Sequence, residues 1–216
     1  MPVDKKAVVK ALEEARKQSE RRGFKQSIDL ILNLKDIDLK KPENRINELV
    51  EFPTSPGRKA SICVIATGDL ALRAKEAGAD GVVGKEELDA LSKDKKAAKK
   101  LEKRFDFFIA EAQLMPSVGK SIGPVLGPRG KMPTPVPPTA PIDAMMERYR
   151  KMSRVMVRSQ LNSQIRVGTE EMSDEQIAEN VQAVMAKLEG KLEKGSRNIR
   201  SVLVKTTMGA PVKVAL

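Results

Sequence analysis

Two glycine–lysine pairs, Gly119-Lys120-Ser121 and Gly130-Lys131-Met132, place cations where a phosphate loop would carry them. A loop of the Walker kind also needs a glycine five positions before the glycine of the pair, so that backbone amides cradle the phosphates, and a hydroxyl after the lysine for Mg²⁺. Those earlier positions hold Leu114 and Val125, and Met132 has no hydroxyl, so the pattern does not support nucleotide chemistry. Carboxylate pairs at Glu86-Glu87 and Glu170-Glu171 have the composition of acid–base couples. Both fall at expected helix starts, where acids favour the positive end of the dipole. The chain has no histidine, which excludes hydrolytic triads, imidazole acid–base work and histidine-ligated metals. Its single cysteine, Cys63, excludes an internal disulfide and a cysteine zinc cage. No catalytic residue, metal site or cofactor is therefore expected.

The remaining chemistry suits a polyanion. Forty Lys and Arg against 29 Asp and Glu leave a formal charge of +11, the electrostatic footprint of a nucleic-acid or anionic-membrane partner. A membrane is disfavoured, since no apolar run approaches the roughly 18 to 20 residues of a spanning helix. The first residues carry no apolar signal region, so a cytosolic protein is expected. With five Phe, one Tyr and no Trp, RNA recognition cannot rest on broad aromatic stacking and must use backbone, hydroxyls, cations and shape. The run Lys93-Asp94-Lys95-Lys96-Ala97-Ala98-Lys99-Lys100 reads as a solvated helix face or as a phosphate track. The segment Lys205-Thr206-Thr207-Met208-Gly209-Ala210-Pro211 offers hydroxyls, a flexible apolar side chain and a glycine at a strand end. It is a nucleic-acid contact or a plain hairpin turn, and composition alone does not choose.

These residues need elements to position them. Val3, Ala7, Val9, Ala11, Leu12 and Ala15 recur at helical spacing, which predicts an amphipathic helix over 3–22. Strands follow over 27–34 and 46–52, and Pro53-Thr54-Ser55-Pro56-Gly57 is a break. The pattern then changes to continuous apolar runs at 60–66, 78–83 and 106–112, alternating with helices over 69–77 and 86–104. That alternation predicts a parallel sheet covered on both faces. The glycine- and proline-rich stretch 123–135 reads as a rigid, shaped loop, neither helix nor strand, anchored by Val125, Leu126 and Met132, before a helix over 142–150. Strands at 155–158 and 164–167, a helix at 174–192 opened by a capping box at Ser173, and strands at 201–205 and 212–216 complete the chain.

The fold class is therefore α/β, with two domains. Residues 1–66 and 154–216 are expected to pair into one discontinuous split α+β sandwich, and 67–153 to form an inserted small wound domain of Rossmann-like type, with a two-strand hinge between them. Both parts are basic, so charge does not identify the binding domain.

The pattern Gly-x-x-Leu-Gly-Pro-Arg-Gly-x-Met-Pro-x-Pro at 123–135, with Thr207-Met208-Gly209 and Gly23-Phe24-x-x-Ser27-Ile28, resembles the large-subunit ribosomal protein one family, the protein of the mobile stalk beside the tRNA exit site. The resemblance covers essentially the whole chain. The Met-Pro-Thr-Pro-Val-Pro-Pro form and the absence of a C-terminal tail resemble archaeal members. It implies a monomer when free that binds ribosomal RNA of the large subunit through the discontinuous domain, represses its own messenger RNA and helps exit-site tRNA leave. Matching positions for RNA contact are Phe24, Ser27, Ser201, Thr207, Met208 and Gly209, which decides the open choice at 205–211 for binding and brings Lys205 with it. Gln164 stands where relatives often carry histidine; it donates and accepts but cannot become cationic. Arg166 and Arg200 are added on charge, and Lys120, Arg129 and Lys131 are expected only as secondary contacts to nucleic acid.

Overall fold

The computed structural model describes residues 4–20, 22–41 and 44–215. Val3 and Leu216, expected at the ends of the first helix and last strand, lie outside the described residues. Two compact units form, Met1–Arg58 with Lys151–Leu216, and Lys59–Arg150. The divisions fall earlier than the expected 66 and 153, for a reason visible in the pairing. Strand β3 (Ile62–Ile65) lies in parallel between β4 (Gly81–Val83) and β5 (Phe107–Glu111), inside the second unit's sheet. Strand β7 (Met152–Val157) pairs antiparallel with β2 (Ile46–Glu51), inside the first.

In the first unit, helix α1 (Lys5–Lys17) starts where the Asp4 side chain accepts from the Lys6 amide at 3.2 Å, filling one of the donors a helix start leaves orphaned. Its buried face is Val8, Ala11, Leu12 and Ala15. Four antiparallel strands make the main sheet, in the order β10 (Val212–Val214), β9 (Ile199–Thr206), β1 (Ser27–Leu34) and β8 (Asn162–Thr169). A segment from before the second unit thus sits between two from after it. Alternation along β1 buries Ile28, Leu30, Leu32 and Leu34 and leaves Ser27, Asp29, Ile31 and Asn33 on the other face. Helix α8 (Asp174–Glu189) begins in the expected capping box, Ser173 and Gln176 bonding reciprocally at 3.3 Å. Val8 and Leu12 of α1 and Ile177, Val181 and Val184 of α8 share one core with the buried face of the sheet. Both helices therefore cover the same face. Arg16 joins them, donating to Asp174 Oδ1 at 2.8 Å and to the carbonyls of Glu170 and Met172 at 2.6 and 2.7 Å.

The second unit is a parallel sheet, β4-β3-β5-β6, with β6 at Thr134–Val136. Residues 62–65 and 107–111 are buried without alternation, as strands covered on both faces must be. Helices α2 (Gly68–Glu76) and α7 (Ile142–Arg150) lie against β3. On the other face Cys63, Ile65, Phe108 and Ala110 pack with residues of α3 (Lys85–Lys93), α4 (Lys95–Arg104), α5 (Met115–Ser121) and α6 (Gly123–Leu126). Burial, with a smaller contribution from the charge of Glu87, pushes the Cys63 thiol up to about 12.

Two expectations are corrected here. The helix expected over 86–104 is two helices, because Asp94 leaves the helical conformation and caps the second, accepting from the Lys96 and Ala97 amides at 2.7 and 3.2 Å. The 123–135 segment is not a loop throughout. It forms α6, then a single 3₁₀ turn at Gly127–Arg129, a left-handed Gly130 at φ 69°, and β6. Proline is compatible with a first helical turn, where its missing N–H has no partner to lose, and Pro124 and Pro128 take such positions.

Candidate nucleic-acid interface

With both helices on one side, the other face of the first unit's sheet carries an ordered array of polar side chains. Register sets its rows. Arg166, Asp29 and Lys205 lie across β8, β1 and β9; next come Gln164, Ile31, Leu203 and Lys213; then Asn162, Asn33 and Ser201. Gln164 Nε2 donates to Asp29 Oδ2 at 3.0 Å, and Asn33 Nδ2 donates to Ser201 Oγ at 2.9 Å. Asp29 is thus a lone acid flanked by two cations and an amide, which holds the surface in a fixed pattern of donors. An irregularity beside Leu34 pairs Ile199 and Ser201 with successive residues of β1, so Arg200 is the extra residue of a bulge and turns outward. It lines a shallow polar depression with Asn33, Gln160, Asn162, Ser201 and Lys213.

At the opposite end of the strands, the 207–209 turn is held by a buried amide. Gln26 is 1% exposed. Its Oε1 accepts from the Met208 amide at 3.0 Å, and its Nε2 donates to Ser19 Oγ at 3.0 Å and the Glu20 carbonyl at 3.2 Å. Its own N–H donates to Glu170 Oε1 at 3.0 Å. Thr206 Oγ1, also buried, donates to Ser19 Oγ at 3.0 Å and accepts from the Gly209 amide at 3.1 Å. A Cβ on Gly209 would lie 2.3 Å from that hydroxyl, so only glycine fits the turn as built. The result is a rigid end-piece from which Met208 projects at 61% exposure, with Phe24 of the neighbouring 22–27 segment at 52%. Exposed Met and Phe on a hydrogen-bonded base can cover sugars or bases while backbone and hydroxyls meet phosphate and 2′-OH oxygens.

The structure thus brings together Phe24, Ser27, Gln164, Arg166, Arg200, Ser201, Lys205, Thr207, Met208 and Gly209 on one face and one end of one sheet. Lys120, Arg129 and Lys131 belong to the other unit. Lys131 donates to Glu102 Oε1 at 3.0 Å and to the carbonyls of Glu102 and Phe105, both at 2.8 Å. Its three ammonium protons are occupied. Arg129 reaches Glu102 Oε2 at 3.1 Å. The conspicuous glycine-rich cations therefore neutralise a buried carboxylate. Sequence reasoning missed Asp29, Asn33, Asn162 and Lys213, which alternation along their strands would have placed on this face. It also missed Gln26 and Thr206, whose roles rest on contacts between distant segments.

Among the described residues, no group of three or more His, Cys, Asp or Glu is placed to hold a metal, and no helix is long and apolar enough to cross a membrane. The family match places this α/β chain in the structural, non-enzymatic class of ribosomal proteins. In particular, the chain belongs to the Ribosomal protein L1p/L10e family, which it matches over residues 12–210. It is 47% identical over 207 residues to the large ribosomal subunit protein uL1 of Methanothermobacter thermautotrophicus, covering 96% of this chain and 98% of that one. With the uL1 of Archaeoglobus fulgidus it shares 46% over 214 residues, 99% of this chain and 100% of the relative. With that of Methanobrevibacter smithii it shares 48% over 207 residues, again 96% and 98%. The resemblance read from 123–135, 23–28 and 207–209 holds over nearly the full chain, and these relatives are archaeal, as the proline-rich form implied.

Proposed function

We propose that the chain is a cytoplasmic ribosomal protein that binds ribosomal RNA of the large subunit at the mobile stalk through the open sheet face and the 207–209 turn of its first unit. One observation carries this reading: ten residues chosen for RNA contact, scattered from 24 to 209, converge on one face and one end of a sheet whose other face is sealed by helices. Arg166, Arg200, Lys205 and Lys213 supply salt-sensitive attraction to phosphates, which carries affinity but no sequence information. Discrimination comes from a preformed surface of Thr207, Met208, Gly209, Asn33 and Ser201, suited to the backbone and 2′-OH groups of a folded junction.

The same surface accounts for two further roles we assign to the protein. A messenger leader folded like the ribosomal site would compete for it, giving repression of the protein's own synthesis, and a protein seated at the stalk would meet exit-site tRNA and assist its release. The free protein is a monomer on this reading. RNase footprinting on total ribosomal RNA tests partner and site together. Protection confined to one large-subunit junction, lost with Thr207→Val and Met208→Ala, is the expected result; diffuse protection unaffected by both substitutions would overturn it.

A further inference from the structure

In the second unit, α4 reads Lys-Lys-Ala-Ala-Lys-Lys-Leu-Glu-Lys-Arg. At about 100° per residue, its six cations occupy one half of the helix circumference, and all six are exposed. They form two ridges, Lys95–Lys99–Lys103 and Lys96–Lys100–Arg104, with a rise of about 6 Å between successive cations. The helix's only acid, Glu102, is buried beside the edge of the cationic arc and held by Lys131 and Arg129. Among the described residues, no acidic side chain pairs with any of the six.

This arrangement works against the helix. Like charges at i,i+4 destabilise it, and here they recur at 95/99, 96/100, 99/103 and 100/104. Lys95 and Lys96 also occupy the first turn, where no acid is present and the dipole disfavours cations. The Asp94 cap, the placing of Lys103 and Arg104 in the last turn, and the Arg104 guanidinium 5.3 Å over the Phe105 ring offset part of this, but no carboxylate answers the two ridges. Local rules broken together on one exposed face, with no internal acidic partner for its five lysines, mark a surface shaped for an external one. Phosphates supply what is missing. They neutralise both ridges, and the cations release condensed counterions when they bind.

We infer that the outer face of α4 is a second docking surface, for the phosphate backbone of RNA, independent of sequence and separate from the sheet face. The inference rests on the reading of the chain as an RNA-binding protein and extends it to the second unit.

The test measures affinity of the full chain for transcribed large-subunit ribosomal RNA as a function of salt. Lys95, Lys99, Lys100 and Lys103 are replaced together by Gln, and in a second variant by Arg. The expected result is that the Gln variant lowers the slope of log K against log salt by about 3, from four lost phosphate contacts, and that the Arg variant keeps the slope. Thr207→Val with Met208→Ala serves as reference, weakening binding at every salt with the slope nearly unchanged. An unchanged slope in the Gln variant, with the reference weakened, overturns the α4 surface and leaves the sheet-face reading standing. No effect from either set overturns both. An unchanged slope accompanied by lost binding to poly-L-glutamate overturns the RNA assignment in favour of an acidic protein. Removing the repulsion should leave the melting temperature equal or higher, so loss of fold does not obscure the result.

Discussion

Thr207 closes the end of the sheet against Ser27. Its Oγ1 accepts from the Ser27 N–H at 2.9 Å and lies 3.2 Å from the Ser27 carbonyl as donor, while its own N–H donates to that carbonyl at 3.0 Å. One hydroxyl thereby fixes the turn and keeps a lone pair for an external donor. Thr207→Val retains the shape but not the bonds. It should cost about 1–2 kcal/mol of stability and weaken RNA binding at least about tenfold, the equivalent of one charge-free contact and its positioning. Thr207→Ser should restore most of both. Denaturant titration and filter binding on the same preparations separate the two effects.

Gln26 is sealed beneath the turn and does not face solvent, yet it governs the Met208 backbone. Gln26→Leu leaves the Met208 amide and the Ser19 hydroxyl without this partner, at roughly 1–3 kcal/mol per unsatisfied group. RNA affinity should fall although no RNA contact is removed. Hydrogen exchange at Met208 should quicken in the free protein; an unchanged exchange rate alongside weakened binding would contradict this positioning role.

Gly209→Ala introduces a Cβ onto the Thr206 hydroxyl. Relief requires moving either the turn or the buried network, and overpacking of this kind costs about 1–3 kcal/mol. The double substitution with Thr206→Ser should recover little, because the clash is with the oxygen both residues carry. Thermal melting of the single and double variants checks this.

Lys131 is a structural residue in a conspicuous motif. Lys131→Met leaves Glu102, 1% exposed, with Arg129 alone. Breaking a buried pair from one side costs on the order of 3–5 kcal/mol, discounted here because Arg129 remains. Urea unfolding should report the loss in the transition of the second unit, while affinity of the folded protein for ribosomal RNA stays within about twofold.

Cys63 gives the pH prediction. Its folded thiol ionises near 12 against an ordinary 9.0, so the unfolded chain loses this proton first as pH rises. The contribution to stability is complete below about pH 9 and is lost progressively up to about pH 12. Native protein should resist thiol reagents at pH 8 and react at once in denaturant. Rapid native labelling would show that the strand opens or that the thiol is accessible.

By itself the sequence determined most of the elements, though not the break at Asp94 or the helical turns of 115–129, and which family the chain belongs to. Hydrophobic alternation along 27–34, unbroken apolar runs at 62–65 and 107–111, and the capping box at Ser173 are local patterns, so their periods and caps are readable in one dimension. The motifs at 23–28 and 207–209 singled out residues of the candidate interface for the same reason. What the sequence did not show was pairing. Only strand register places Asn33 beside Ser201 and Asp29 between Arg166 and Lys205, and only the tertiary fold brings Ser19, Gln26, Thr206 and Met208 into one hydrogen-bonded cluster. The same limit applies to the glycine-rich stretch, whose cations the sequence offered only as secondary contacts to nucleic acid. Lys131 and Arg129 resemble phosphate ligands until α4 delivers Glu102 to them. A buried carboxylate draws cations more strongly than solvent does, and which carboxylate becomes buried is decided when the helices pack.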